Sequence, residues 1–170
     1  MNSQESANMP ARANGSHWLA LAASIGICMA VGFVSGLLFK PGAWYAALDK
    51  PFFNPPAWVF APAWTLLYIA MGTAAWRIWR LPASAERQVA LRQFGVQLAL
   101  NAAWTPVFFG ARSLAGGLGV IVLMALAIIV TIQRFHPLDK IAAWLLAPYL
   151  AWVTFATALN VALLALNGSF

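Results

Sequence analysis

The sequence predicts an all-α membrane protein that folds as a single bundle of five transmembrane helices. The chain is 62% hydrophobic and 8% charged, whereas a soluble domain carries about 25% charged residues. Five long runs contain no acidic or basic residue, and each has, or nearly has, the ~20 residues of a membrane-spanning helix. Because these runs do not alternate between apolar and polar residues, they do not fit a membrane β-barrel. They are residues 13–39, 51–76, 93–111, 113–133 and 141–170.

The first helix is predicted at about 17–39, where the transmembrane domain of residues 17–170 begins. The preceding residues 1–16 are polar with many small side chains, and we expect a disordered tail there. Gly32 and Gly36 have the GxxxG spacing that permits close approach of helices, which favours packing within the bundle. Cys28 is the one cysteine of the sequence, so no disulfide framework or metal spacing is present.

Residues 40–57 form the longest connection of the chain. Four prolines break regular structure there. Trp44, Tyr45, Phe52 and Phe53 supply more aromatic surface than an ordinary loop carries. Two interpretations stay open: an aromatic belt at the membrane interface, or a lid over the mouth of a ligand cavity.

The second helix is predicted at about 57–80 and has one stripe of polar-tipped aromatic side chains. Indole N–H and phenol O–H groups need hydrogen-bond partners when they are buried. We therefore expect the stripe to face other helices and to form one wall of a cavity for a flat apolar ligand. It consists of residues at helical spacing: Ala61, Trp64, Thr65, Tyr68 and Gly72.

The third helix is predicted at about 86–109 and has two distinct faces. One face carries a polar line that should point into the bundle: Gln97, Asn101 and Thr105. The opposite face carries a small-residue line that should pack against another helix and is our candidate homodimer interface: Gly95, Ala99 and Ala103. For Asn101 two interpretations stay open, a ligand contact or an interhelical hydrogen bond worth ~0.6–2 kcal/mol.

The fourth helix, about 114–135, is apolar through its middle and is predicted to be scaffold.

The fifth helix, about 138–166, should bend at Pro148, because proline interrupts the backbone hydrogen bonds of a helix. Trp152 and Ala156 resemble another cavity wall, in which the small alanine leaves room beside the indole. For Trp144 the alternative is a side chain that faces lipid.

The distribution of basic residues predicts the orientation of the chain. Seven of the ten Lys and Arg residues lie in the N-terminal tail and in the connections between helices 2 and 3 and between helices 4 and 5. The remaining three, Lys40, Lys50 and Arg112, lie on the opposite side. This bias predicts a cytoplasmic N-terminus, and a helical bundle suits a bacterial inner membrane. Because the charge follows membrane topology, we expect no nucleic-acid binding from the net charge of +6.

Few residues are available for conventional catalysis. The four acidic residues and both histidines lie in the tail or near helix ends, so a paired-carboxylate site, a proton pathway and buried haem ligation by histidine are not predicted. No metal site and no obligatory cofactor are expected. Nine Trp, eleven Phe and three Tyr residues remain. They suit stacking against a planar hydrophobe, and an indole beside an excited pigment also permits photochemistry.

Four segments resemble the TspO family, which comprises tryptophan-rich sensory proteins, translocator proteins and peripheral-type benzodiazepine receptors. The match covers all but the N-terminal tail, the first helix and the fourth helix. The resemblance implies a five-helix bundle that is often a homodimer, and it implies binding of porphyrins such as protoporphyrin IX and haem. The matching segments are WYAALDKP (44–51), NPPAWVFAPAWTLLYIAMGTAAW (54–76), LNAAWTPVFFG (100–110) and PYLAWVTFATALNVALLALN (148–167).

The resemblance also assigns roles to individual positions. Trp64 and Trp152 match the tryptophans associated with porphyrin binding and light-dependent porphyrin degradation, and they are the candidate catalytic residues. Sterols are ligands of some family members, but nothing basic follows Tyr149, so the proposed sterol motif is incomplete here. The candidate ligand-binding residues are Trp44, Tyr45, Phe60, Trp64, Tyr68, Gln97, Asn101, Trp104, Tyr149, Trp152 and Ala156.

These features predict an integral membrane protein that binds a tetrapyrrole and acts as a sensor, as a regulator or in porphyrin handling. The macrocycle would lie between Trp64 and Trp152 under the 40–57 connection, with its propionates near Lys40, Lys50 or Arg112. The alternatives are light-dependent oxidation of the porphyrin and passive transport of porphyrins, sterols or other hydrophobic molecules.

Overall fold

The computed structural model describes residues 12–168 of the chain, with side chains from residue 17 onward. These residues form helices and their connections, without a strand. A five-residue π-helical turn, Pro106–Gly110, directly follows the fourth helix. The α-helices are α1 (Arg12–Leu38), α2 (Ala43–Ala47), α3 (Ala57–Trp79), α4 (Ala85–Thr105), α5 (Leu114–Phe135), α6 (Lys140–Leu145) and α7 (Ala147–Asn167).

Four stretches in the described part of the chain are long and apolar enough to cross a membrane. They are His17–Leu38, Ala57–Trp79, Leu114–Phe135 and Lys140–Asn167. An all-helical, multi-pass membrane protein is therefore confirmed. Helix α4 is not one of these four stretches, and its first two turns carry the charged residues Glu86, Arg87 and Arg92.

Helix α3 lies between α1, α4 and α6, while α5 packs against α4 and α7. Around the bundle, α1 is followed by α3, then by α6 together with α7, then by α5, and then by α4, which contacts α1 again. Helix α1 is the outermost, since only 6% of its spanning segment is buried. The core lies between the other helices, and its fully buried side chains include Met71, Ile78, Phe108, Ile121, Met124, Ile128, Phe135 and Tyr149.

Small residues allow α1 to pack closely against α3. A Cβ atom on Gly72 would lie 2.5 Å from the Cα atom of Ile25, so the two backbones touch at this point. The Ser24 hydroxyl donates a hydrogen bond to the Gly72 carbonyl at 2.8 Å. Gly32 lies against the ring of Tyr68, which matches the packing within the bundle that its GxxxG spacing favours, whereas Gly36 has open space beside it.

Three helix boundaries differ from the prediction. Helix α1 begins at Arg12, so residues 12–16 of the expected disordered tail are helical, and residues 1–11 lie outside the described part. The predicted continuous helix 138–166 is divided at Leu146 into α6 and α7. Pro148 explains this division, because it has no N–H group for the carbonyl four residues earlier.

The third difference is the π-helical turn at the end of α4. Pro106 cannot donate to the carbonyl of Ala102, and the Ser35 hydroxyl of α1 reaches that carbonyl instead, at 3.5 Å. The N–H of Ala111 donates to the Pro106 carbonyl at 2.8 Å, a five-residue step that widens the helix. Such turns frequently occur at functional sites, and this one carries Phe108 and Phe109.

An ion pair fixes the end of α3 to the start of α6. The Arg77 guanidinium makes two hydrogen bonds to the Asp139 carboxylate, at 2.9 and 3.2 Å. The same carboxylate accepts a hydrogen bond from the N–H of Ala142 at 3.0 Å and so caps α6. Burial disfavours the charged form, but the hydrogen bonds from Ala142 and Arg77 outweigh it and lower the pKa of Asp139.

This lowered pKa predicts a loss of stability in acid. Because the pKa of Asp139 is lower in the folded state than the ordinary value of about 3.9, its ionisation stabilises the protein above about pH 4. This contribution disappears as the pH falls through the folded-state pKa. We expect the Asp139→Asn variant to show a shallower decline in thermal midpoint below about pH 4 than the native chain. Asp49→Asn is the control, since Asp49 is exposed, and an identical decline in native and Asp139→Asn protein would contradict the prediction.

Candidate functional site

Five aromatic side chains meet between α3 and α7, and we call them the α3–α7 aromatic cluster. The rings of Trp64 and Trp152 lie edge to face, with centroids 6.5 Å apart. The α3 and α7 backbones make few close approaches, so these side chains bridge a gap that the backbones leave. The cluster consists of Phe60, Trp64 and Tyr68 from α3 and Tyr149 and Trp152 from α7.

Helical periodicity explains why these residues share a face. Phe60, Trp64 and Tyr68 follow one another at four-residue steps, so they lie in one row along α3. The Trp64 indole stacks on the Tyr68 ring at 5.3 Å and 25°. On α7, Tyr149 and Trp152 are three residues apart and project toward the same row. Trp152 contacts Phe60 at 5.9 Å.

A buried chain of hydrogen bonds lies behind the aromatic cluster. The Tyr68 hydroxyl donates to Asn101 Oδ1 at 2.9 Å, and Asn101 Nδ2 donates to the Tyr149 hydroxyl at 3.1 Å. The Tyr149 hydroxyl in turn donates to Met124 Sδ at 3.2 Å. Four helices, α3, α4, α7 and α5, are thereby tied together. For Asn101 the interhelical hydrogen bond, one of its two interpretations, is present.

A second group of aromatic side chains lies under the 40–57 connection, and we call it the loop cluster. The Trp104 ring stacks on Phe108 at 4.7 Å and 20°, while Trp44 meets Phe108 at 5.9 Å and Tyr45 meets Phe109 at 5.4 Å. Trp44, Tyr45 and Trp104 were predicted to be ligand-binding residues together with Trp64 and Trp152, with Tyr45 in the lid. In the structure the candidate residues lie in two clusters, and Trp104 packs against buried residues of both.

The 40–57 connection is held at its end by two sets of hydrogen bonds. The Asn167 side chain accepts from the Asp49 N–H at 2.8 Å and donates to the Asp49 carbonyl at 2.9 Å. The Lys50 ammonium donates to the carbonyls of Tyr45, Ala46 and Leu48. Since an ammonium has three N–H donors, Lys50 is fully engaged in this structure, which leaves Lys40 and Arg112 of the three predicted partners for propionates.

Phe53 connects this segment to the α3–α7 aromatic cluster. Its ring meets Phe155 at 6.4 Å, and Phe155 contacts Trp152 at 5.8 Å. The connection therefore contacts α7 beside the cluster through Phe53 and Phe155. Sequence reasoning had not selected Phe155, although its place three residues after Trp152 puts it on the same face of α7.

Three buried polar side chains near the two clusters have unpaired atoms among the described residues. They are Gln97, with both amide atoms unpaired, the indole nitrogen of Trp104, and Asn160. Gln97 and Asn160 are 0% and 1% exposed. An unpaired buried amide costs about 1–3 kcal/mol, so each is a place where water or a polar group of a ligand would bind. Asn160 was not among the candidate ligand-binding residues, although its spacing of four from Ala156 places it in the same row as Trp152.

The space between Trp64 and Trp152 is closed in this structure, because their rings are in direct contact. Both side chains are half-buried, as is Ala156 beside them. The two indoles that were predicted to line the cavity thus contact each other at this point. A flat ligand would enter only after the two indoles separate.

Two surface cavities lie away from these clusters. A 490 Å³ cavity is lined by His17, Trp18, Trp76, Arg80, Leu81 and Pro82. A 350 Å³ cavity is lined by Ala85, Glu86, Val89, Gln133, Arg134, Pro137 and Leu138. Both lie at the end of the bundle where α3 ends and α4 begins.

The small-residue line of α4 faces outward. Gly95 has no atom within 4 Å of the position that a Cβ atom would occupy, and Ala99 is exposed while Ala103 is half-buried. Gln97 and Asn101 on the other side of the helix are buried. The two faces of α4 thus point in the predicted directions.

The described residues contain no group of three or more His, Cys, Asp or Glu side chains that could hold a metal ion. The chemistry of the α3–α7 aromatic cluster is therefore that of aromatic surface with hydroxyl and amide groups behind it. Such a surface binds a planar apolar molecule by stacking.

Comparison with known proteins relates the whole architecture to one family. The TspO/MBR family model matches residues 24–166. The chain is 44% identical over 155 residues to the tryptophan-rich protein TspO of Chlorobaculum tepidum, covering 88% of this chain and 96% of that one. It is 46% identical over 133 residues to the tryptophan-rich sensory protein of Cereibacter sphaeroides, covering 78% and 82%. It is also 42% identical over 142 residues to the human translocator protein, covering 82% of each chain. The chain therefore belongs to the TspO/MBR family.

Proposed function

We propose that this membrane protein binds a flat tetrapyrrole, such as protoporphyrin IX or haem, and acts as a sensor or regulator or in porphyrin handling. The observation that carries the proposal is the meeting of Trp64 and Trp152, from helices α3 and α7, in one half-buried aromatic cluster. The Cereibacter sphaeroides relative is named a tryptophan-rich sensory protein, and this name supports a sensory role here.

The proposal includes five membrane spans. Helix α4 has 21 residues and continues into the five-residue π-helical turn, which together are long enough to cross the ~30 Å hydrocarbon core. The basic residues then favour a cytoplasmic N-terminus in a bacterial inner membrane. The outward line of Gly95, Ala99 and Ala103 is the interface of the proposed homodimer, because small residues allow two helices to approach closely.

Binding requires the Trp64 and Trp152 rings to part and stack on the two faces of the macrocycle. Trp152 has contacts with Phe60 and Phe155 but its side chain is half-buried, so it can rotate at lower cost than Tyr149, which is 0% exposed. Lys40 and Arg112 are exposed at the end of the bundle that carries the 40–57 connection. They replace Lys50 as the partners for propionate groups.

Titration of protoporphyrin IX into the purified protein, followed by quenching of tryptophan fluorescence, tests this proposal. The Trp64→Phe, Trp152→Phe double variant is expected to bind about tenfold more weakly, because each smaller ring loses part of a stacking interaction worth about 0.5–1.5 kcal/mol. Trp144→Phe is the matched control, since that indole is 71% exposed and makes no aromatic contact in the described structure.

An affinity of the double variant equal to that of the native protein, with saturable binding in both, would place the porphyrin elsewhere. Because each variant loses tryptophan emission, the affinities of the native protein and of the variants are compared by a second signal, the absorbance of the porphyrin. This signal does not depend on the number of indoles in the protein.

Light-dependent oxidation of the bound porphyrin is the second candidate function. The contact between Trp64 and Trp152 favours it, with dioxygen as the oxidant. An indole can donate an electron to the excited pigment, which passes the electron to dioxygen to give superoxide. The oxidised indole, whose charge its neighbour can share, then takes an electron back from the porphyrin, so the porphyrin is the group oxidised. The same titration samples, illuminated in air, would lose porphyrin absorbance only in the presence of native protein. Loss in the dark, or equal loss without protein, would exclude this function.

A further inference from the structure

A cavity of 490 Å³ lies between the beginning of α1 and the end of α3, away from both aromatic clusters. Its walls come from His17 and Trp18 on one helix and from Trp76 and Arg80 on the other. Because α1 and α3 are both membrane-spanning, these residues lie where the two helices leave the hydrocarbon layer. The cavity is therefore at the level of lipid head groups.

The cavity combines a fixed aromatic surface with a positive charge. The Trp76 indole N–H donates to the carbonyl of His17 at 3.1 Å, which holds the indole in place and joins the two helices. The Arg80 guanidinium lies over this indole, 4.9 Å from the ring centre. A stacked guanidinium keeps its N–H groups at its edge, where they can donate to the oxygen atoms of an anion.

Arg80 has no carboxylate partner among the described residues. The one ion pair in that part of the chain joins Asp139 to Arg77, one helical turn before Arg80. The Asp139 carboxylate is thus engaged by Arg77, and Arg80, which is exposed, makes no ion pair within the described part of the chain. An external anion is the group that this arrangement fits.

We propose that the cavity binds the head group of an acidic phospholipid, with the phosphate at Arg80. The neighbouring surface indicates a lipid rather than a free anion, because Trp18 and Leu19 are 68% and 73% exposed on the outer face of α1. Acyl chains would lie along this face, and the Trp18 ring would lie beside the glycerol. The site is independent of the proposed tetrapyrrole site, since it shares no residue with either aromatic cluster.

Native mass spectrometry of the full-length protein tests this proposal. Protein in a mild detergent is mixed with equal amounts of phosphatidylglycerol and phosphatidylcholine, both carrying the same acyl chains, and the retained lipid is counted. We expect the native chain to retain phosphatidylglycerol in preference. Arg80→Gln should lower the apparent affinity for phosphatidylglycerol about fivefold, which is the effect of one basic residue near an anionic lipid surface. It should lower the retention of phosphatidylcholine less, because the choline ammonium offsets the charge of the same phosphate.

Arg92→Gln is the matched control, because Arg92 is another exposed arginine near this end of the bundle and does not line the cavity. Its phosphatidylglycerol retention should equal that of the native protein. A second variant, Trp18→Ala, should weaken retention without changing charge, and the thermal midpoint of each variant confirms that it is folded.

Three results would overturn the proposal. The first is equal retention of the two lipids by the native protein, and the second is an equal loss of phosphatidylglycerol retention in Arg80→Gln and Arg92→Gln. The third is complete displacement of phosphatidylglycerol by inorganic phosphate at the same concentration as the lipid. The last result would identify a site for free anions, because a lipid held along α1 by its acyl chains binds more tightly than its phosphate alone.

Discussion

Replacing Gly72 by alanine is expected to destabilise the protein by about 2 kcal/mol or more, since overpacking costs roughly 1–3 kcal/mol where neighbours can shift. The new Cβ atom would lie 2.5 Å from the Cα atom of Ile25 and 2.8 Å from its backbone nitrogen. Backbone atoms cannot rotate away as a flexible side chain can. The variant can fold only if α1 and α3 separate, which would also lengthen the Ser24 hydrogen bond to the Gly72 carbonyl.

The measurement is unfolding of purified protein in detergent by increasing mole fractions of SDS, followed by tryptophan fluorescence. Gly26→Ala is the matched control on the other side of the same helix pair. Gly26 has no atom within 4 Å of the position that its Cβ would occupy, so this variant should be as stable as the native chain or slightly more stable, because alanine is the better helix former. Equal unfolding curves for Gly72→Ala and the native chain would show that α1 does not touch α3 as the structure has it.

Helical periodicity accounts for the features that could be predicted from the sequence. A period of 3.6 residues determines which side chains share a face, so Tyr68 and Asn101 could be assigned to the interior without coordinates. The same reasoning assigned Gly95 to the face of α4 opposite the polar line, and in the structure that face points outward. Length and apolarity were likewise sufficient for four of the five predicted membrane-spanning segments, because the thickness of the bilayer imposes a minimum helix length.

Contacts between residues distant in the chain could not be predicted in this way. Lys50 looked available for a ligand, yet its ammonium is bound to three carbonyls of the segment before it. The hydrogen bonds between the Asp49 backbone and the Asn167 side chain join residues 118 positions apart. Periodicity gives the direction of a side chain but not its partner, and for this reason the division into two aromatic clusters was also missed.

The closed contact of Trp64 and Trp152 follows from the same limitation. A row of aromatic residues on each of two helices predicts that the rows face each other, but the distance between the helices depends on every other contact in the bundle. With α3 and α7 at the distance seen here, the rings fill the space between them. A ligand must therefore compete with contacts between aromatic side chains, each worth about 0.5–1.5 kcal/mol.

Replacing Asn101 by leucine is the second change for which we expect a large effect. The side chain accepts from Tyr68 and donates to Tyr149, and these two hydroxyl groups are buried. Leucine would leave the buried Tyr68 hydroxyl without its acceptor, at about 1–3 kcal/mol for a group left unsatisfied. The Tyr149 hydroxyl would lose the hydrogen bond from Asn101 but keep the one that it donates to Met124. We expect a loss of about 1–3 kcal/mol in the free energy of unfolding.

Gln97→Leu makes the comparison decisive, because Gln97 lies one turn from Asn101 on the same buried face of α4. Its amide has no partner among the described residues, so leucine removes two unpaired polar atoms and adds apolar contact. This variant should be as stable as the native chain or more stable in the same SDS titration. If Gln97→Leu instead lost as much stability as Asn101→Leu, the Gln97 amide must bind an internal water or ligand. The tyrosine–asparagine hydrogen bonds would then contribute no more to the stability of the bundle than the contacts of the Gln97 amide.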